Sequence, residues 1–173
     1  KFMWWEMSLE EEEWFLFCSY GMTGQWSTTE NQHSSYGLYL HLAGNDSELY
    51  FNDIRNFGSI KFVKGREALE KKLKTLGPDM LNDPPSTTEF QERLRKRDGW
   101  NICKALMHQG VVSGVGNYVK CEAMYRAGID PNLNVKDLDD FALHRLCAEI
   151  TEVMEESYRS RGASFDTYRN PEG

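Results

Sequence analysis

The spacing of apolar residues changes once along this chain, near residue 65, and that change constrains the fold more than any other feature. Before it, aromatic and β-branched residues come in short runs set between turn formers. Lys1–Met7, Trp14–Tyr20, Tyr36–Leu42, Glu48–Ile54 and Ser59–Val63 read as strands. Glu10–Glu13 reads as the solvated tip of a hairpin. Gly21–Ser35, filled with Gly, Ser, Thr and Asn, reads as an irregular connection. After residue 65 the apolar residues recur at helical intervals. Leu69, Leu73 and Leu76 form one stripe, stopped by Gly77-Pro78. Ser86 and Glu89 have capping-box spacing ahead of Phe90 and Leu94. A third helix opens at Asp98 or Trp100, with Ile102, Leu106 and Met107 inward. A long last helix spans Asp137–Arg159, with Leu138, Phe141, Leu146, Ile150, Val153 and Met154 on its apolar face. Strands followed by helices predict an α+β chain in which an antiparallel β-sandwich precedes an all-helical part.

Charge and cysteine usage narrow the classes of function. The 173 residues are 40% hydrophobic and 27% charged, with a formal net charge of −7. That sign alone argues against a nucleic-acid partner. The charge is uneven, however. Acid concentrates at Glu10–Glu13 and between Asp137 and Glu156, whereas basic residues gather at Lys61–Lys74 and Arg93–Lys104. Local patches govern phosphate binding. Cys18, Cys103, Cys121 and Cys147 form no Cys-x-x-Cys pair and have no His at ligand spacing. They read as reduced, buried thiols of an intracellular protein, with no metal site in this segment. No apolar run has the length of a membrane span, and no secretory leader opens the chain. Lys1-Phe2-Met3-Trp4-Trp5 reads as the inside of a strand, so an internal fragment of a longer protein is expected.

The stretch His108–Pro131 carries the clearest chemistry. A helix ends in an apolar turn containing Gly114 and Gly116, and a new helix starts near Asn117 and stops at Gly128, with Pro131 beyond. The free amides at such a start carry partial positive charge and suit a phosphate. Asn117 adds a hydrogen-bonding amide and Lys120 a charge. On spacing alone, packing glycines and a capping Asn explain the same pattern.

Five segments decide between these readings. Val111–Pro131, with its Gly-Val-Gly-Asn and Arg-Ala-Gly-Ile-Asp-Pro, resembles the helix–two-turn–helix motif of the formamidopyrimidine-DNA glycosylase and endonuclease VIII family. Asp53-Ile54-Arg55-Asn56-Phe57-Gly58 is similar to that family's Asp-x-Arg-Arg-Phe-Gly loop. Tyr20-Gly21-Met22-Thr23-Gly24 is similar to its His-Leu-Gly-Met-Ser-Gly segment, and Leu76–Leu81 to its Leu-Gly-Pro-Glu-Pro-Leu. Arg161–Asn170 is similar to the lead-in to its C-terminal finger. The five occur in family order and cover nearly the whole chain.

The resemblance implies a base-excision repair DNA glycosylase with abasic-site lyase activity, acting on oxidised bases in double-stranded DNA. It implies that Met22, Arg55 and Phe57 fill the space left by a flipped base. By composition alone Met22 and Phe57 read as core residues. It further implies that Asn117, Gly116, Lys120 and Lys1 meet backbone phosphates, and that Glu122 serves helix packing or capping at least as much as catalysis. Asn56 and Ser19-Tyr20 depart from the family pattern, where a basic residue and His-Leu are usual. The family's nucleophile is an N-terminal proline followed by glutamate. Neither is found here, so no catalytic residue is assigned within this chain and no cofactor is expected in it. In some members the finger holds zinc. The implied layout is residues 1–64 as the C-terminal part of the sandwich and 65–85 as helix and linker. Residues 86–160 are then the DNA-binding helical domain, and 161–173 the lead-in to the finger. The protein is expected to be a monomer without membrane attachment, nuclear in a eukaryote and cytoplasmic in a bacterium or virus. The competing reading is a non-catalytic lesion- or nucleic-acid-binding helix–two-turn–helix protein.

Overall fold

The computed structural model describes residues 1–9, 11–42 and 45–160. The chain divides into two compact units, one of residues 1–74 and the second from Thr75 onward. Small antiparallel sheets and one helix lie in the first and the other helices in the second, a mixed architecture.

In the first unit, β1 (Met3–Leu9), β2 (Glu12–Ser19) and β6 (Ser59–Lys64) form one three-stranded sheet. β3 (Gln25–Ser27), β5 (Asn45–Asn52) and β4 (Ser34–Leu42) form another. Alternation along β1 sends Met3, Trp5 and Met7 to one face, where they meet Leu16, Cys18, Phe51 and Ile60. Trp26 bridges the two sheets, 4.8 Å from the Trp5 ring and 5.2 Å from Phe51. This explains why Gly21–Ser35 is not wholly irregular. Partial burial of Trp26, paired with Phe51, pulls residues 25–27 into a short strand despite their polar neighbours. The acidic hairpin is also tighter than expected. Leu9 pairs with Glu12, and Glu11 adopts a left-handed φ of 65°. Glu12 and Glu13 therefore extend the strand, paired with Lys64 and Arg66. β5 ends at Asn52, not Ile54, because Asp53 turns its side chain to the following loop. Helix α1 (Arg66–Leu73) starts from Gly65 at φ 83° and buries Leu69, with contacts to β2 and β6. It stops before Leu76.

The second unit holds α2 (Thr87–Arg95), α3 (Ile102–Met107), α4 (Asn117–Arg126) and α5 (Asp140–Arg159). Their apolar faces enclose a core that includes Met80, Phe90, Leu106, Val112, Leu146 and Ile150. The Ser86 hydroxyl accepts the Glu89 amide at 3.2 Å. The reciprocal half of that box is missing, because the Glu89 carboxylate pairs with Arg93 one turn on. The complete capping box stands at Asn134 and Asp137, around a 3-10 turn over Val135–Asp137. That turn, and the Asp139 carboxylate capping Ala142 at 2.7 Å, delay α5 to Asp140. Leu138 is therefore buried from an extended link. Phe141 is rotated outward at 69% exposure, and Leu143 and Cys147 point inward instead. Met107, expected inward, is 41% exposed at the last turn of α3. All four cysteines are free. Cys18 and Cys147 are buried, Cys103 is half-buried, and Cys121, contrary to expectation, is exposed.

Candidate nucleic-acid interface

Two loops of the first unit meet at the residues singled out above. Asp53 is 2% exposed, and its carboxylate organises both. The Thr23 hydroxyl donates to Oδ1, the Arg55 amide reaches the same oxygen at 3.3 Å, and the Gly58 amide donates to Oδ2 at 2.6 Å. These hydrogen bonds, led by that from Thr23 and followed by that from Gly58, hold the carboxyl below the usual aspartate range. The turn between Asp53 and Gly58 closes through the Asn56 amide on the Asp53 carbonyl, with Asn56 at φ 53°. Gly21 adopts φ 56°, and a Cβ there would lie 2.9 Å from the Phe57 backbone. Only glycine lets the two loops touch.

What this scaffold presents is exposed. Met22 is 76% and Phe57 66% exposed, so composition misplaces both in the core. Arg55 joins them. Its Nη1 donates to the Met22 sulfur at 3.2 Å, and its guanidinium lies over the Phe57 ring at 5.7 Å. A flexible apolar side chain, an aromatic wedge and a planar donor thus form one cluster. Thr23 and Asp53, which create it, were not singled out from the sequence. An Asp whose side chain accepts the amide two residues on is a turn signal that marks Asp53, whereas no local signal marks Thr23.

In the second unit, Gly116 (φ −113°, ψ 179°) leads into α4 and no side chain caps it. The first α4 amide bonded to a carbonyl is that of Lys120, to Gly116. Asn117 is exposed, and its Oδ1 accepts Lys120 Nζ at 2.8 Å. The pair therefore presents an ammonium and an amide N–H₂ beside the open helix end. The loop ahead is braced by Gln109, whose Nε2 donates to Val115 O (2.9 Å) and whose Oε1 accepts the Gly114 amide (3.0 Å). It is also zipped to residues 77–80. Gly77 N bonds Gln109 O, and Ser113 N bonds Pro78 O, both at 2.8 Å. A Cβ at Gly77 would lie 2.4 Å from Val111 O, which accounts for the glycine of the Leu76–Leu81 motif. Gly128 (φ 63°) ends α4 in a Schellman turn, with Ile129 N on Met124 O and Gly128 N on Tyr125 O.

Glu122 does not stand free. It pairs with Arg126 Nε, and Arg126 grips Glu156 of α5 through Nη1 and Nη2. Lys1 is exposed ahead of β1. Arg161–Asn170 lies outside the described residues. Among the described residues no group of three His, Cys, Asp or Glu side chains comes together to hold a metal. No helix among the described residues is long and apolar enough to cross a membrane.

Two small antiparallel sheets followed by a helical unit with an open, glycine-led helix start define a known class. The family model described as the formamidopyrimidine-DNA glycosylase H2TH domain matches residues 76–168. The chain belongs to the formamidopyrimidine-DNA glycosylase and endonuclease VIII family. A formamidopyrimidine-DNA glycosylase of Desulfitobacterium hafniense is 32% identical over 165 residues, covering 94% of this chain and 60% of that protein. One of Bdellovibrio bacteriovorus is 34% identical over 157 residues, covering 88% and 56%. The chain thus spans about three fifths of the length of the curated relatives it matches. Among solved structures, the Lactococcus lactis enzyme (FPG, MutM) bound to FAPY-dG containing DNA superposes with a TM-score of 0.77. It is 25% identical, covering 95% of this chain and 62% of that one. A mutant of the same enzyme with Fapy-dG containing DNA is 26% identical, with a TM-score of 0.76 and coverage of 97% and 62%.

Proposed function

We propose that the protein to which this chain belongs is a base-excision repair DNA glycosylase with abasic-site lyase activity, acting on oxidised bases in double-stranded DNA. The observation that carries the reading is the exposed Met22–Arg55–Phe57 cluster on its buried Asp53 scaffold. Extruding a base costs a few kcal/mol of stacking and pairing, and leaves a hole and an orphaned partner base. In this reading Met22 enters the hole, Phe57 wedges against the neighbouring step, and Arg55 hydrogen-bonds the orphan. The α4 start, with Gly116, Asn117 and Lys120, takes a backbone phosphate, and Lys1 another. No residue of the chain is assigned the chemistry. The resemblance gives attack on the sugar C1′ to an N-terminal proline amine, with expulsion of the base and elimination from the resulting Schiff base. The chain's own part is to bind, bend and hold the duplex. In the same reading the two sheets are part of one β-sandwich, and α3, the glycine turn and α4 belong to a helix–two-turn–helix.

Fluorescence anisotropy tests this with two labelled duplexes, one carrying a stable abasic analogue and one intact. Preference for the abasic duplex, reduced by Met22→Ala and Arg55→Ala, is the expected result. Equal affinity for both removes the void-filling assignment. No binding to either at low salt removes the DNA reading itself.

A further inference from the structure

Trp100 is the centre of a second cationic surface. It packs against the core of the helical unit and remains half-buried. Two cations rest on its indole. Lys104 Nζ lies 4.3 Å from the ring centroid, and the Arg97 guanidinium 5.1 Å. The His108 ring meets the indole edge-on at 5.4 Å. Trp100 lies just ahead of α3, Lys104 within it and His108 at its C-terminal cap, and the ring contacts bring the three together. Lys96 is exposed in the preceding turn.

These charges differ from the arginines elsewhere in the described part of the unit. Arg93, Arg95, Arg126 and Arg159 are each committed to carboxylates, and Asp98, the acid nearest in sequence, goes to Arg95. Arg145 donates to the Arg126 carbonyl, and Lys120 to Asn117. Among the described residues, Lys96, Arg97 and Lys104 make no ion pair, and the only hydrogen bond of the Arg97 side chain runs to its neighbour's carbonyl at 3.4 Å. In a chain of net charge −7, Arg97 and Lys104 thus stand on one aromatic ring with no carboxylate of their own among the described residues. An aromatic face holds a cation in place without neutralising it, so the charge stays available to an anion. The loop from His108 to Gly116 then runs directly to the α4 start.

We infer that the Arg97–Trp100–Lys104 surface is a second phosphate-binding site, which grips the backbone of the same DNA apart from the lesion. It rests on the DNA-binding reading given above. Its contribution is sequence-independent and lesion-independent, since phosphate contacts carry affinity and position but no base information.

The experiment is a salt titration of binding by the full chain to the abasic and intact duplexes, with Arg97→Gln, Lys104→Gln and the double variant. Arg159→Gln, which removes a charge already paired on α5, is the control. Both target residues are exposed, and thermal unfolding verifies that the variants stay folded. Each of the two substitutions is expected to flatten the slope of log K against log salt by about 0.9, one phosphate contact. The double variant should lose about twice that. Affinity for both duplexes should fall together, leaving the abasic-to-intact ratio within about twofold. A double variant with the parent slope overturns the second site while leaving the DNA reading intact. A parent chain that binds neither duplex at low salt overturns both.

Discussion

Thr23 and Asp53, thirty residues apart, share the hydrogen bond that joins the two loops of the candidate site. Because the Asp53 carboxyl is held below its usual range in the folded chain, it binds its proton less tightly there than when unfolded. Its stabilisation is therefore complete above the ordinary aspartate range near pH ~4 and is lost as pH falls through the lowered folded value. Glu156, held down by Arg126, has the same sign. Acid unfolding followed by circular dichroism should shift to lower stability through this window. Asp53→Asn should lower stability at neutral pH and flatten the acid limb. A variant with the parent's acid profile would show that the carboxylate does not organise the loops.

Met22, Arg55 and Phe57 project from the fold without supporting it. Single alanine substitutions should leave thermal stability within about 0.5 kcal/mol of the parent. They should reduce the preference for an abasic duplex. For Phe57→Ala the expected loss is about 1–3 kcal/mol, the range for an aromatic stacked on a base. A large drop in melting temperature for any of the three would place them in the core after all.

Two glycines of the helical unit should respond differently to alanine. At Gly128 a Cβ has room, its nearest neighbour being Arg145 Nη2 at 3.8 Å, so only the left-handed φ is strained. That costs about 1–2 kcal/mol. At Gly77 the Cβ meets the Val111 backbone at 2.4 Å, and backbone must move. Gly77→Ala should be the more destabilising of the pair in urea titrations, and the reverse order would mean that the 77–80 and 109–113 segments are not zipped as described.

Thiol reactivity should follow burial. Cys121 is exposed on α4, whereas burial pushes the Cys147 thiol up to about 11. Titration with a colorimetric disulfide reagent at neutral pH should modify Cys121 first, then Cys103. Cys147 and Cys18 should react only on unfolding. Early modification of Cys147 in a folded sample would contradict the packing of α5.

The sequence is most legible where side-chain period and burial coincide. Met3, Trp5 and Met7 alternate into one face, and Phe90, Leu94, Leu146 and Ile150 repeat at helical spacing into another. It is least legible where a single residue overrides its surroundings. Trp26 draws a strand out of a polar stretch, and Asp53 ends one early by bonding forward. The Asn134–Asp137 box delays α5, which turns Phe141 outward. The site itself shows the same division. Hydrophobicity places Met22 and Phe57 inside, whereas the motifs around them place both together with Arg55. The bond from Thr23 to Asp53, on which their exposure depends, joins residues too far apart in sequence for local spacing to reveal.

The side chains proposed to enter the duplex are already gathered in the unbound chain. Arg55 touches both Met22 and Phe57, and two apolar groups stand in water. Little conformational entropy then remains to be lost when they enter a base stack. Dehydrating those groups should give association a negative heat-capacity change, larger for a gapped duplex than for an intact one. Calorimetry at several temperatures thus reads the depth of insertion without any chemistry at the lesion.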